Sequence, residues 1–117
     1  MAKETFQEFR ERRKRENDRV LATDNLQIKR FFSLDSAAYR DGALPGRTKE
    51  LLGLVASMVL RCNDCIDYHL ENCFNENFTR AELEDAMNIA LIVGGSIVIP
   101  HLRHAYTSLD QLEASQD

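Results

Sequence analysis

Glu50-Leu51-Leu52-Gly53-Leu54-Val55-Ala56-Ser57-Met58-Val59-Leu60 followed by Arg61-Cys62-Asn63-Asp64-Cys65-Ile66-Asp67-Tyr68-His69 is the stretch that decides the fold. Its first half places Leu51, Leu52, Leu54, Val55, Met58 and Val59 at the three-to-four spacing of a helix with an inward face. Arg61-Cys62-Asn63-Asp64 then reads as a tight connection into a further helix over about 62–76. An antiparallel helix pair hinged near Arg61 is the expectation.

Working outward, Asp41-Gly42-Ala43-Leu44-Pro45-Gly46 is the clearest break. Glycine suits a helix end, and Pro45 suits the first turn of the next helix. Before the break, Leu26, Ile28, Phe31, Phe32, Leu34 and Tyr39 anchor a helix over about 24–40. Earlier still, a helix over about 3–22 is dense in mingled charge, Glu8 and Arg10 through Glu16, as a solvated face with i,i+4 pairs would be. Phe6, Phe9, Val20 and Leu21 could dock it onto the body or a neighbouring subunit. Downstream, Thr79-Arg80-Ala81-Glu82 has the form of a capping box, with Phe78 able to staple onto Leu83. That helix runs to about Val93, Gly94-Gly95 interrupts, and a last segment spans Ser96 to about Leu112. With two prolines and five glycines, and no convincing period-2 stretch, the chain reads as all-α. A single-domain bundle of five to six helices is expected: a charged N-terminal helix at 1–22 and a helical domain at 23–117.

The composition bounds the function. The 117 residues suffice for one modest core, and 29% charged with 44% hydrophobic residues is a globular balance. A net charge of −4 lacks the basic excess of a nucleic-acid grip. Met1-Ala2-Lys3-Glu4 opens into a charged helix, unlike a signal peptide. The apolar run Ile89–Pro100 falls short of the roughly 20 residues that a bilayer needs. A cytoplasmic protein without nucleic-acid or membrane partners is expected. Three cysteines without export signals point to catalysis or metal binding more than to a structural disulfide framework.

Cys62 and Cys65 form a CxxC at the start of a helix. That spacing brings two sulfurs within bonding reach, and the helix N-terminus stabilises a thiolate, the reactive form. The plainer alternative is two incidental cysteines. His69 lies on the same stripe at i+7 from Cys62 and i+4 from Cys65, where an imidazole can take a thiol proton directly or through a water. Taken alone, a histidine there is more often a partly buried one with a backbone partner; beside two cysteines on its own face, the functional reading leads. If the helix pair is antiparallel, Glu50 and His69 reach within about one turn of the same level. A carboxylate there would orient the imidazole and raise its basicity. The alternative for Glu50 is a solvated residue favouring the helix dipole. Asp64 and Asp67 oppose thiolate formation, and Arg61 favours it.

Cys73 completes C-x2-C-x3-H-x3-C, which has the look of four zinc ligands. Along a straight helix Cys62 and Cys73 stand about 16 Å apart, too far for one tetrahedral ion. A Cys62/Cys65/His69 site is the metal alternative, but no metal and no cofactor is assigned. Cys73 is most simply a small buried apolar residue. His101 and His104 are expected at the surface or at a subunit contact, since no local rule places them. Gly94-Gly95 lacks a phosphate-loop context, so close helix packing accounts for it.

Together these residues resemble the carboxymuconolactone decarboxylase family, in its AhpD-like (alkyl hydroperoxidase D-like) branch. The specific part is the spacing E-x11-C-x2-C-x3-H, met by Glu50, Cys62, Cys65 and His69. Thr79-Arg80-Ala81-Glu82-Leu83, Ala86, Ala90 and Gly94-Gly95 extend it, over roughly residues 25–105. The resemblance implies an all-α fold assembling as homo-oligomers, often trimers or hexamers. It implies a CxxC that cycles between dithiol and disulfide while reducing hydroperoxides or a partner's disulfide, with a lipoyl or thioredoxin-type reductant. Cys62 and Cys65 would be the redox pair, His69 the relay base and Glu50 its carboxylate. Peroxidase members with histidine before the second cysteine differ here, where Asp64 stands. The resemblance also keeps open a decarboxylase-type enzyme using Glu50 and His69 without thiol chemistry, and a non-catalytic oligomeric or metal-binding module is a third reading. Independently, Ile89–Ile99 and Leu51–Leu60 are apolar almost all round, more than a monomer of this size usually hides.

Overall fold

Helix ends explain the architecture, which a computed structural model describes for residues 3–115. The helices are α1 (Phe6–Leu21), α2 (Leu26–Ala38), α3 (Gly46–Val59), α4 (Asn63–Asn75), α5 (Arg80–Gly94) and α6 (Ile99–Ala114), with a 3₁₀ turn at Ser96–Val98 before α6. No strand occurs among the described residues. The chain divides into two compact units between Arg40 and Asp41.

The first unit holds α1 and α2. A capping box opens α1: the Thr5 hydroxyl accepts from the Glu8 amide, and the Glu8 carboxylate accepts from the Thr5 amide. That backbone N–H holds the Glu8 carboxyl below its usual range. Along the helix, Lys14 pairs with Asp18 at 2.7 Å and Arg12 with Glu16 at 3.6 Å, the i,i+4 spacing its charge pattern implies. Asn25 caps α2, accepting from the amides of Gln27 and Ile28, and no residue of α2 is buried.

The second unit holds α3 to α6. Helix α3 packs on α4 and α5, and α4 packs on α6. Leu54, Met58, Ile66, Leu70, Leu83, Met87, Ala90, Val98, Ala105 and Leu109 form the core. Each large side chain among them contributes about 1.5–3 kcal/mol by leaving water. Thr79 and Glu82 form the capping box of α5, and Phe78 and Leu83 beside it are both buried.

Two Schellman turns bracket α4 and fix where its residues fall. At the end of α3, Arg61 adopts a left-handed φ of 61°. The amide of Arg61 donates to Met58 O, and that of Cys62 donates to Ser57 O. The turn hands the chain directly to Cys62, which starts α4. At the far end, Asn77 has φ 67°, its amide donates to Phe74 O, and the Phe78 amide donates to Cys73 O. Arg47 of α3 closes this end: its Nε donates to Glu76 O, and its guanidinium lies 3.6 Å from the Phe78 ring centroid. After α5, Gly95 takes φ 81° with ψ −169°, a conformation closed to L side chains. A Cβ on Gly94 would collide with the Val98 side chain, so Gly94 serves close packing as expected, whereas a Cβ on Gly95 would meet open space and that glycine is needed for its backbone conformation alone.

Candidate functional site

Cys62 is the N-cap of α4, where its Sγ accepts from the Cys65 amide at 3.2 Å. The helix start directs unpaired N–H groups and partial positive charge at this sulfur. Cys62 and Cys65 are joined by a disulfide with their Cα atoms 5.2 Å apart. Cys62 is half-buried and Cys65 is exposed, so the bond lies open to a reaction partner.

One turn on, His69 lies on the stripe set by Cys65, where i,i+4 residues stand about 5–6 Å apart at Cβ. Its side chain is only 10% exposed and that of Glu50 15%, and Nδ1–H donates to Glu50 Oε2 at 2.8 Å. The antiparallel pairing of α3 and α4 thus brings together the glutamate and histidine that the sequence separates by 19 positions. With the proton on Nδ1, the neutral imidazole carries its lone pair on Nε2. Asn72 Nδ2 also donates to Glu50 Oε2, at 3.3 Å, which holds the carboxylate from a second side. The Tyr68 ring meets His69 edge to face at 5.0 Å.

Cys73 is fully buried and unbonded to the other two cysteines. Burial pushes its thiol up to about 12, and the Glu50 charge pushes the same way. It is therefore inert at neutral pH, as a buried small residue should be. No cluster of three or more His, Cys, Asp or Glu side chains arranged for a metal ion occurs among the described residues.

The other side of α4 holds what sequence reasoning did not place. Asp67 is buried, and both its carboxylate oxygens lie within reach of His104 Nε2, at 3.0 and 2.9 Å. The fully buried Ser108 hydroxyl donates to the same carboxylate. His101 Nδ1–H donates to Asn63 Oδ1 at 2.8 Å. The two histidines are half-buried and bound to α4, not simply exposed. Asp67 itself is engaged by donors from α6, so its charge does not act on the cysteines unopposed. The available signal was paired spacing: 63 and 67 share a face of α4, and 101 and 104 share a face of α6.

These features define a class: an all-helical protein whose chemistry-bearing side chains lie along one helix and are completed from its two neighbours. The chain belongs to the carboxymuconolactone decarboxylase family, whose family model matches residues 28–108. It is 54% identical to a member from Thermotoga maritima for which a role in an antioxidative response has been suggested. That crystal structure gives a TM-score of 0.88 and the match covers 92% of each chain. A member from Legionella pneumophila, solved in its apo form, is 29% identical with a TM-score of 0.67, over 73% of this chain and 76% of that one. An uncharacterized protein in the cox locus of Paracoccus denitrificans is 27% identical over 85 residues, 73% of this chain and 77% of the relative. No helix among the described residues is long and apolar enough to cross a membrane.

Proposed function

We propose that the chain is a thiol-dependent oxidoreductase of AhpD-like type, reducing hydroperoxides or a partner's disulfide through Cys62 and Cys65. The observation that carries the reading is the disulfide at the start of α4 beside a buried histidine bonded to a glutamate. In the reduced state one cysteine is deprotonated to a thiolate, with His69 accepting its proton and Glu50 stabilising the imidazolium. The thiolate attacks the peroxide oxygen, the O–O bond breaks, and the alcohol leaves with the proton that His69 returns. The resulting sulfenic acid condenses with the other thiol, forming the disulfide and releasing water. Two electrons pass from the dithiol to the peroxide, and a lipoyl or thioredoxin-type dithiol restores them. That cycle requires a reducing compartment, for which the cytoplasm is the proposed location.

The test is thiol titration with turnover. Hydroperoxide should remove two free thiols of three, and Cys62→Ser or Cys65→Ser should each abolish turnover. Three titratable thiols after peroxide would sink the reading. The decarboxylase-type alternative draws on the same Glu50–His69 pair, and it predicts activity on a lactone acid that survives replacement of both cysteines.

The protein is also proposed to act as a homo-oligomer, a trimer or hexamer. Leu60, Ile92 and Val93 are 76%, 74% and 69% exposed, and Leu52, Ile89 and Ile97 are also exposed. So many large apolar side chains in water call for a covering surface, and a further copy supplies one of matching chemistry.

A further inference from the structure

Asn63 lies inside the ring that the Cys62–Cys65 disulfide closes, and it is also the first residue of α4. Its side-chain oxygen is held by His101, which comes from the first turn of α6, 38 positions away. One and two turns further along α6, His104 and Ser108 grip the buried Asp67 carboxylate. That grip fixes α6 against α4, so His101 is delivered to Asn63 from a braced helix. The contact therefore depends on the backbone of the four-residue ring.

We infer that His101 is a positioning residue for the cysteine pair: by holding Asn63, it favours the closed ring and biases the dithiol–disulfide balance toward disulfide. The inference rests on reading Cys62 and Cys65 as a redox pair. Closing the ring restricts the dihedrals of Asn63 and Asp64, and opening it releases them. A hydrogen bond made with the closed geometry and loosened in the open one adds its net worth to the closed form. For a neutral hydrogen bond that worth corresponds to about fivefold in the equilibrium constant. The hydrogen bond needs only an N–H donor at position 101, not a charge.

The test equilibrates the full chain in graded mixtures of reduced and oxidised glutathione or dithiothreitol, then traps and counts thiols. In that exchange two thiols of the buffer give two electrons and two protons to the protein disulfide. His101→Ala and Asn63→Ala should each shift the balance about fivefold toward dithiol. The double variant should shift no further than either single one, because both remove the same bond. His101→Gln keeps a donor and should stay within about twofold of the parent. A loss of stability shared by both redox forms cancels from this equilibrium, so a merely structural role would leave it unmoved. His101→Phe keeps the ring without a donor, and repeats the comparison should the alanine variant not fold. An unmoved His101→Ala or His101→Phe, or strictly additive shifts with Asn63→Ala, overturns the inference alone. A parent disulfide that never exchanges with either buffer overturns the redox reading, and the inference falls with it.

Discussion

Replacing Glu50 separates the stability of the site from its chemistry. Its carboxylate accepts from His69 Nδ1 at 2.8 Å and from Asn72 Nδ2 at 3.3 Å. Glu50→Ala strands an imidazole N–H whose side chain is 10% exposed. Stranding a buried donor costs about 1–3 kcal/mol. Both side chains keep some access to water, so the lower half of that range, about 1–2 kcal/mol, applies. For a domain of this size each kcal/mol moves the melting temperature by roughly 4 °C, giving a fall of about 4–8 °C. Glu50→Gln is nearly isosteric, and its amide oxygen can still accept from Nδ1–H, so its cost should stay under about 1 kcal/mol. The chemistry behaves differently. On the proposed mechanism the negative charge stabilises the imidazolium formed when His69 takes a thiol proton, and neither variant supplies it. Acid–base assistance is worth about 10²–10⁴-fold, so peroxide turnover should fall at least about 100-fold in both. Thermal melts of the oxidised protein and steady-state turnover with excess dithiol measure the two effects. Near-parent turnover in a well-folded Glu50→Gln would refute the relay, and an unchanged melt in Glu50→Ala would refute the value placed on the contact.

Asp67→Ala should destabilise by about 2–4 kcal/mol in urea melts, because it leaves the buried Ser108 hydroxyl and His104 without their shared acceptor; a double-mutant cycle with Ser108→Ala that shows strict additivity would contradict the shared network. Cys73 binds its proton more tightly in the folded state, with its thiol raised from 9.0 to about 12. Its contribution to stability is whole below pH 9.0 and is lost as pH rises toward 12, so the parent should lose stability relative to Cys73→Ala above about pH 9 in denaturant melts, and parallel pH profiles would exclude the effect. Sedimentation should give a multiple of the 13.4 kDa chain mass, reduced by Ile92→Lys; a parent mass of one chain would remove the assembly.

The helices were legible because their signals are local. The capping box at Thr79 and Glu82 needs four residues to be recognised, and it sits where the pattern puts it. Thr5 and Glu8 carry the same signal, and this box starts α1 at Phe6 instead of near residue 3. Glu50 and His69 could be paired across 19 positions because a three-residue connection, Leu60 to Cys62, leaves little freedom in how α3 meets α4. The link from α4 to α6 is another matter. Asp67 and His104 are separated by the whole of α5 and two turns, and no short-range rule sets the rotation of α6 about its axis. Packing of Val98, Ala105 and Leu109 sets it, and only then do His101, His104 and Ser108 face α4. Arg61 shows the same limit at one residue: a Schellman turn is usually read from glycine, and here arginine occupies the left-handed position.

Because a sulfur atom caps α4, the backbone there is wired to electron count. In the disulfide, Cys62 Sγ is a weak acceptor for the Cys65 amide. As a thiolate the same atom would bear a full negative charge and grip that amide harder. Deuterium uptake at the Cys65 amide should therefore slow when the pair is reduced at a pH that ionises Cys62, giving the molecule a built-in gauge of its own redox state.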